Sequence, residues 1–183
     1  MQKLTNKEKK VRRYVFELFI PSLHQIIRSL NHSEYQRWGG NTCRQSAIFG
    51  AYFLDQWLPE YEWEVYDGNF TDVINGKEVA FNHAWIYGVS KNGGANLFLD
   101  LSNVLKERLF IKTNVNAYPK DHEEYKNQKE VNRVQLDWRN MVGTEREYYT
   151  RLQTQVLADL LREVMLFNED KCGLGGYVTY RQC

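Results

Sequence analysis

The sequence predicts an α+β domain in which a central helix packs on a small antiparallel sheet, flanked by long N- and C-terminal helices. Apolar residues recur at helical spacing over residues 7–30 and again over 145–167. A segment between them, 43–58, is apolar on nearly every side, which is typical of a helix in the middle of a domain. Alternating apolar and polar residues and an Asn-Gly pair then indicate antiparallel strands.

The N-terminal helix is amphipathic, and we expect Pro21 to kink or divide it because proline has no backbone N–H to donate. Its first turns are rich in Lys and Arg, which indicates a solvated helix face. The central helix follows a turn-rich connection, where Asn41 or Thr42 can accept from the N–H groups of the first turn. Pro59 is expected to close this helix.

The strands follow the central helix. Tyr61, Trp63 and Val65 alternate with glutamates, and Asn75-Gly76 predicts a tight hairpin between its flanking segments. Two further strands are predicted at 79–89 and 95–102. The next stretch, 103–143, is polar and weakly patterned, which predicts a long surface excursion, a loop with short elements, that stays outside the core. One role for such a segment is a lid.

Length and composition narrow the function classes. The chain has 183 residues, which suits a single domain over 1–183 with its core at about 38–103. Lys plus Arg (24) nearly balance Asp plus Glu (23), so charge gives no reason to expect a nucleic-acid partner. No segment approaches the roughly 18 consecutive apolar residues of a membrane helix, and the N-terminus lacks a secretory pattern. We therefore expect a cytoplasmic protein with no membrane partner and no cofactor.

The cysteines are too few and too scattered for a disulfide framework. Cys172 and Cys183 could close a loop on oxidation, although a reduced tail is the expected state in a cytosol. Cys43 is different, because the stretch NTCRQSAIFGAYFLDQ places it at the start of the central helix. The positive end of a helix dipole favours the thiolate, which is the form that attacks carbonyls. Alone, this position is more typical of an inert buried cysteine.

His83 and Asp100 strengthen the interpretation of Cys43. His83 lies on the segment VAFNHAWIYGV and shares a strand face with aromatic residues. If the loop to the next strand is 90–93, then His83 lies directly opposite Asp100 and both side chains project from one face. A carboxylate among the leucines of ANLFLDLS needs a partner, and the imidazole is within reach. A slip of one residue in this register would send Asp100 to the other face.

Three motifs occur in order: NTCRQSAIFGAYFLDQWLPE, NHAWIY and FLDLSN. Together they resemble the transglutaminase-like branch of the papain-like cysteine-enzyme superfamily, over about residues 38 to 103. The resemblance implies a papain-like fold in which Cys43 is the nucleophile, His83 the general base and acid, and Asp100 the residue that holds the imidazole. It also implies an oxyanion hole that uses the N–H of Cys43 and a side-chain donor. The candidate side-chain donors are Gln36, Trp38 and Asn41. Trp85, next to the base, is expected to shield it or pack against it.

The predicted function is thiol-dependent acyl transfer on a protein or peptide, with hydrolysis by a peptidase, amidase or deamidase favoured over cross-linking. Two alternatives stay open: a cell-wall peptide amidase of the same superfamily, and a non-catalytic binding module with 103–143 as its contact surface. A zinc site is disfavoured, because His24, His32 and His122 do not lie at short ligand spacing from Cys43 or His83. The sequence does not indicate an oligomeric state.

Overall fold

The computed structural model describes residues 2–30, 33, 36, 42–102, 108–113 and 128–140. They form helices packed on one face of a five-stranded antiparallel sheet, so the α+β class is confirmed. The predicted helix at 145–167, and Cys172 and Cys183, lie outside the described residues. The strands are β1 (Tyr61–Ile74), β2 (Lys77–Ser90), β3 (Asn96–Asp100), β4 (Leu109–Thr113) and β5 (Lys129–Leu136), arranged in the order β4-β3-β2-β1-β5.

The N-terminal helix is divided next to Pro21, as the sequence predicts. Helix α1 spans Asn6–Tyr14 and α2 spans Ile20–Leu30, and a π-helical turn, Val15–Phe19, joins them. The N–H of Ile20 donates to the carbonyl of Val15, five residues back. Since Pro21 cannot donate an N–H and its ring crowds the preceding turn, a wider turn at this point joins α1 to α2.

Helix α3, Cys43–Trp57, is the predicted central helix, and it packs against β1 and β2. Gly50 lies directly against the side chains of Leu101 and Ile86. A Cβ at this position would lie 2.5 Å from Leu101 Cδ1 and 2.8 Å from Ile86 Cδ1. The absence of a side chain at Gly50 therefore allows this close approach.

Strands β1 and β2 form the predicted hairpin, and it is longer than the sequence pattern suggests. Ile74 pairs with Lys77, and the turn residues Asn75 and Gly76 both have positive φ, 51° and 76°. That combination is the tight turn that an Asn-Gly pair favours, because its twist matches the twist of the strands. The polar residues of 66–72 lie inside a continuous strand of 14 residues.

The register of β3 on β2 differs from the prediction by two residues. Tyr87 pairs with Phe98, whereas the predicted register, with His83 opposite Asp100, would place Tyr87 opposite Asn96. Gly93 takes a positive φ of 68°, and the N–H of Gly94 donates to Ser90 Oγ, so the turn lies one residue later than predicted. Because side chains alternate with a period of two, a shift of two residues leaves every side chain on its predicted face.

The described parts of 103–143 supply both edges of the sheet. Strand β4 pairs with β3, and β5 pairs with β1 through a bulge at Asn69/Phe70. Trp138 is buried, and its Nε1–H donates to the carbonyl of Trp63 at 3.0 Å. The expectation that this stretch stays out of the core is therefore wrong for Phe110 and Trp138, both of which lie in the main core cluster.

The two faces of the sheet carry different clusters. Ala84 and Ile86 of β2 face the helices and belong to the main core. The alternate residues of β2 face the other way, into a smaller aromatic cluster around Phe70, Trp85 and Phe98. Of the helices in the described ranges, none combines the length and the apolar character needed to cross a membrane.

Candidate active site

His83 and Asp100 form a buried pair on the face of the sheet opposite the helices. Nε2 of His83 lies 2.7 Å from Oδ2 of Asp100, and the two side chains are 7% and 5% exposed. The predicted contact is therefore present, although the two residues are diagonal rather than directly opposed. Diagonal neighbours on one face remain within reach when one of them is a long or aromatic side chain.

Ser102 holds the other oxygen of the same carboxylate. Its backbone N–H donates to Oδ1 of Asp100 at 3.1 Å, and its hydroxyl lies 3.0 Å from the same atom. The hydroxyl oxygen is also 3.5 Å from Nδ1 of His83. The sequence analysis quoted this serine within FLDLSN but gave it no role. Its position two residues after Asp100 was the signal for it, because alternate residues of an extended segment point to the same side.

Aromatic rings enclose the imidazole of His83. Trp85 lies parallel to it, with ring centroids 6.1 Å apart and an interplanar angle of 21°. Phe70 and Phe81 approach edge-on at 6.1 and 6.3 Å. Trp85 is 1% exposed, so it packs beside His83 and shields it from solvent, in the place the sequence predicts for it. Water is thereby restricted around the His83–Asp100 pair.

Cys43 is the first residue of α3, as predicted, and its sulfur lies beside the backbone of the histidine strand. The N–H groups of Ala84 and Arg44 donate to the sulfur. Ala84 directly follows His83, so helix α3 brings the thiol to the same short segment of β2 that carries the imidazole. The negative charge of Asp100 also raises the pKa of this thiol.

The protonation state of the thiol differs from the sequence expectation. Burial, and after it the nearby charge of Asp67, raise the pKa of Cys43 from its ordinary value of 9.0 to about 12. The two N–H donors lower the pKa, but their effect is smaller. The expectation that the helix N-terminus favours the thiolate is therefore wrong at rest, because only 7% of Cys43 is exposed and desolvation of the anion outweighs the dipole.

Asp67 and Arg44 form an ion pair near the thiol that the sequence analysis missed. Arg44 Nε lies 3.7 Å from Asp67 Oδ2, and Asp67 is directly opposite Ala84 in the β1–β2 ladder. The signal was available, since Asp67 continues the inward-facing series Tyr61, Trp63 and Val65. A carboxylate on an otherwise apolar strand face requires a partner.

Thr42, the residue before Cys43, makes contacts other than the predicted one. Thr42 is the N-cap of α3, but its side chain does not accept from the first turn. Its Oγ1 lies 3.0 Å from Nε2 of His24 and 3.3 Å from Oγ of Ser46. Burial and the positive charge of Arg108 lower the pKa of His24, so the neutral imidazole is favoured in this polar cluster.

Of the three predicted oxyanion donors, only Gln36 lies within the described residues. Gln36 is helical and exposed, and Trp38 and Asn41 lie outside the described residues. Within the described ranges, no group of three or more His, Cys, Asp or Glu side chains is arranged to hold a metal ion.

The chain was compared with known proteins at three levels. No protein-family model, no curated protein and no solved structure matches it. Any function assigned to the chain therefore has to be argued from the contacts of Cys43, His83 and Asp100 themselves.

Proposed function

We propose that this chain is a thiol-dependent acyl-transfer enzyme that hydrolyses an amide or peptide bond, on a papain-like, transglutaminase-like arrangement. The observation that carries the proposal is the buried His83–Asp100 pair, because the thiol of Cys43 lies against the residue that follows the histidine. A buried imidazole held by a carboxylate beside a helix-initial cysteine provides the three roles that acyl transfer requires.

The high pKa of Cys43 decides which form of the mechanism is proposed. Since the thiol is protonated at rest, His83 acts as a general base during attack rather than as one half of a preformed ion pair. The sulfur forms a bond to the carbonyl carbon as its proton passes to Nδ1 of His83. The imidazolium then gives that proton to the amine as the C–N bond breaks. Water, deprotonated by His83, releases the acyl group and restores the thiol.

Asp100 accepts from Nε2–H of His83, and this fixes the tautomer in which Nδ1 carries a lone pair. The same carboxylate stabilises the imidazolium that forms during attack. A side-chain donor for the oxyanion is proposed from among Gln36, Trp38 and Asn41, together with backbone N–H groups at the start of α3. Hydrolysis is preferred over cross-linking, because a cross-linking site would need to exclude water while admitting an amine.

The proposal is tested by active-site labelling and by hydrolysis of peptide-amide libraries. A peptide carrying an electrophilic carbon in place of the scissile carbonyl should modify Cys43, as shown by mass mapping. Cys43→Ser should abolish both labelling and hydrolysis, and His83→Ala should slow both by about a hundredfold or more. His122→Ala serves as the matched control, because it removes a histidine from an unrelated sequence context.

Two results would contradict the enzyme proposal. One is the absence of hydrolysis and labelling across the libraries. The other is a Cys43 labelling rate that does not change when His83 is replaced by alanine. Either result would mean that the imidazole does not activate the sulfur.

A second candidate is a non-catalytic binding module on the same scaffold. The buried, protonated state of Cys43 favours it, since inert structural cysteines have these properties. In that case Cys43→Ala should preserve partner binding and Asp100→Asn should mainly reduce stability. Measured turnover that depends on Cys43 separates the two candidates.

A further inference from the structure

The described residues contain one hydroxyl that contacts both members of the His83–Asp100 pair. Oγ of Ser102 lies 3.0 Å from Asp100 Oδ1 and 3.5 Å from His83 Nδ1, and Ser102 is 5% exposed. Its backbone N–H adds a second bond to Oδ1 at 3.1 Å. Thus Oδ1 is held by Ser102, while Oδ2 is the oxygen that faces the imidazole.

A hydroxyl has a single proton, so its donor role goes to one of these two partners. The contact with Oδ1 is the shorter, and a carboxylate is the stronger acceptor. When the serine proton points to Asp100, the oxygen of Ser102 turns a lone pair toward Nδ1. Ser102 therefore donates no proton to Nδ1, and the 2.7 Å contact between Nε2 and Asp100 sets the tautomer of the neutral imidazole.

We propose that Ser102 is a positioning residue that holds Asp100 with Oδ2 toward His83, and thereby keeps His83 in the tautomer whose Nδ1 accepts the thiol proton. The inference rests on the function proposed above. The hydroxyl of Ser102 donates to Asp100 in both protonation states of the imidazole, so the carboxylate keeps its orientation when the ring becomes charged.

The first test is the tautomer of His83, measured by nitrogen NMR of the histidine ring in the intact chain. The wild-type ring should carry its proton on Nε2 when neutral. Ser102→Ala, which keeps the backbone donor but removes the hydroxyl, should give a mixture of the two tautomers. Ser102→Thr restores a hydroxyl at the same place and should return the wild-type spectrum.

The second test is kinetic. Ser102→Ala should lower kcat for peptide-amide hydrolysis by about tenfold to a hundredfold, the effect of one hydrogen bond to a charged group, with KM nearly unchanged. Ser102→Ala should also shift the pH at which activity rises. Ser102→Thr should leave that pH unchanged. Ser46→Ala is the matched control. It removes another fully buried hydroxyl, which bonds to Thr42 and not to the His83–Asp100 pair.

The outcomes separate the two proposals. A single Nε2–H tautomer in Ser102→Ala, with kcat unchanged in an active enzyme, would overturn the role of Ser102 and leave the proposed function standing. A wild-type chain without hydrolysis would overturn the function, while the tautomer measurement would still decide what Ser102 does. If Ser102→Ala fails to fold, Ser102→Cys keeps the volume with a weaker donor and carries the same expected tautomer mixture.

Discussion

The charge of Asp67 opposes formation of the thiolate at Cys43, and Asp67→Asn tests this directly. The substitution keeps the shape of the side chain and removes its charge. Because Asp67 raises the pKa of Cys43, its neutralisation should lower that pKa and increase the thiolate fraction at every pH below it. We expect Asp67→Asn to speed alkylation of Cys43.

The size of this effect can be bounded. A unit charge about 6 Å from a thiol contributes about 2–3 kcal/mol at an effective dielectric of about 20. The Asp67 side chain is 25% exposed and pairs with Arg44, so solvent and the guanidinium offset part of this effect. We therefore expect about 1 kcal/mol, which is about a fivefold increase in the thiolate fraction and in the alkylation rate.

The assay is alkylation with a small neutral reagent between about pH 7 and 9, followed by mass mapping so that Cys43 is read separately from Cys172 and Cys183. The control is Asp55→Asn, which removes a carboxylate near the other end of α3, where it pairs with Arg139. An alkylation rate that is unchanged or lower in Asp67→Asn would refute the reasoning. It would mean that the sulfur does not lie within the field of Asp67.

Two further predictions concern stability. Glu8 accepts from the Tyr61 hydroxyl at 2.6 Å and pairs with Lys112 at 3.1 Å, and these contacts outweigh burial and lower its pKa. The ionised Glu8 therefore adds to the free energy of unfolding above about pH 4.5, and this contribution is lost as the pH falls further. Glu8→Gln should lower the free energy of unfolding in urea by about 1–3 kcal/mol at pH 7 and by less at pH 4. Gly88→Ala would place a Cβ 2.6 Å from the buried Trp63 ring. It should lower the free energy of unfolding by about 1–3 kcal/mol in the same measurement. An unchanged free energy would mean that the ring can move aside.

The contact between His83 and Asp100 was predictable although its register was not. The prediction depended on two facts that local sequence supplies: side chains alternate along a strand, and a carboxylate among leucines needs a partner. The turn between β2 and β3 was harder to place, because Gly93 and Gly94 allow more than one loop length. An error of two residues kept both side chains on one face, whereas an error of one would have separated them.

The edge strands were missed for a different reason. Strand β5 is exposed along most of its length, so neither face needs a continuous apolar pattern, and Val131 and Val134 remain open to solvent. The burial of Cys43 also could not be read locally. A helix start is visible in the sequence, but the loss of water around the sulfur depends on how closely β2 and Asp67 approach it.

The two carboxylates nearest this site lie on opposite faces of the sheet, and both disfavour an anion at Cys43. Asp100 shares the face of His83 and can also stabilise a cation there, while Asp67 shares the face of Ala84. A preformed thiolate–imidazolium pair needs a stabilised thiolate, and neither carboxylate provides that. The arrangement instead suits a neutral thiol that loses its proton as it attacks. In that case the nucleophile stays unreactive toward stray electrophiles until a carbonyl is positioned beside it.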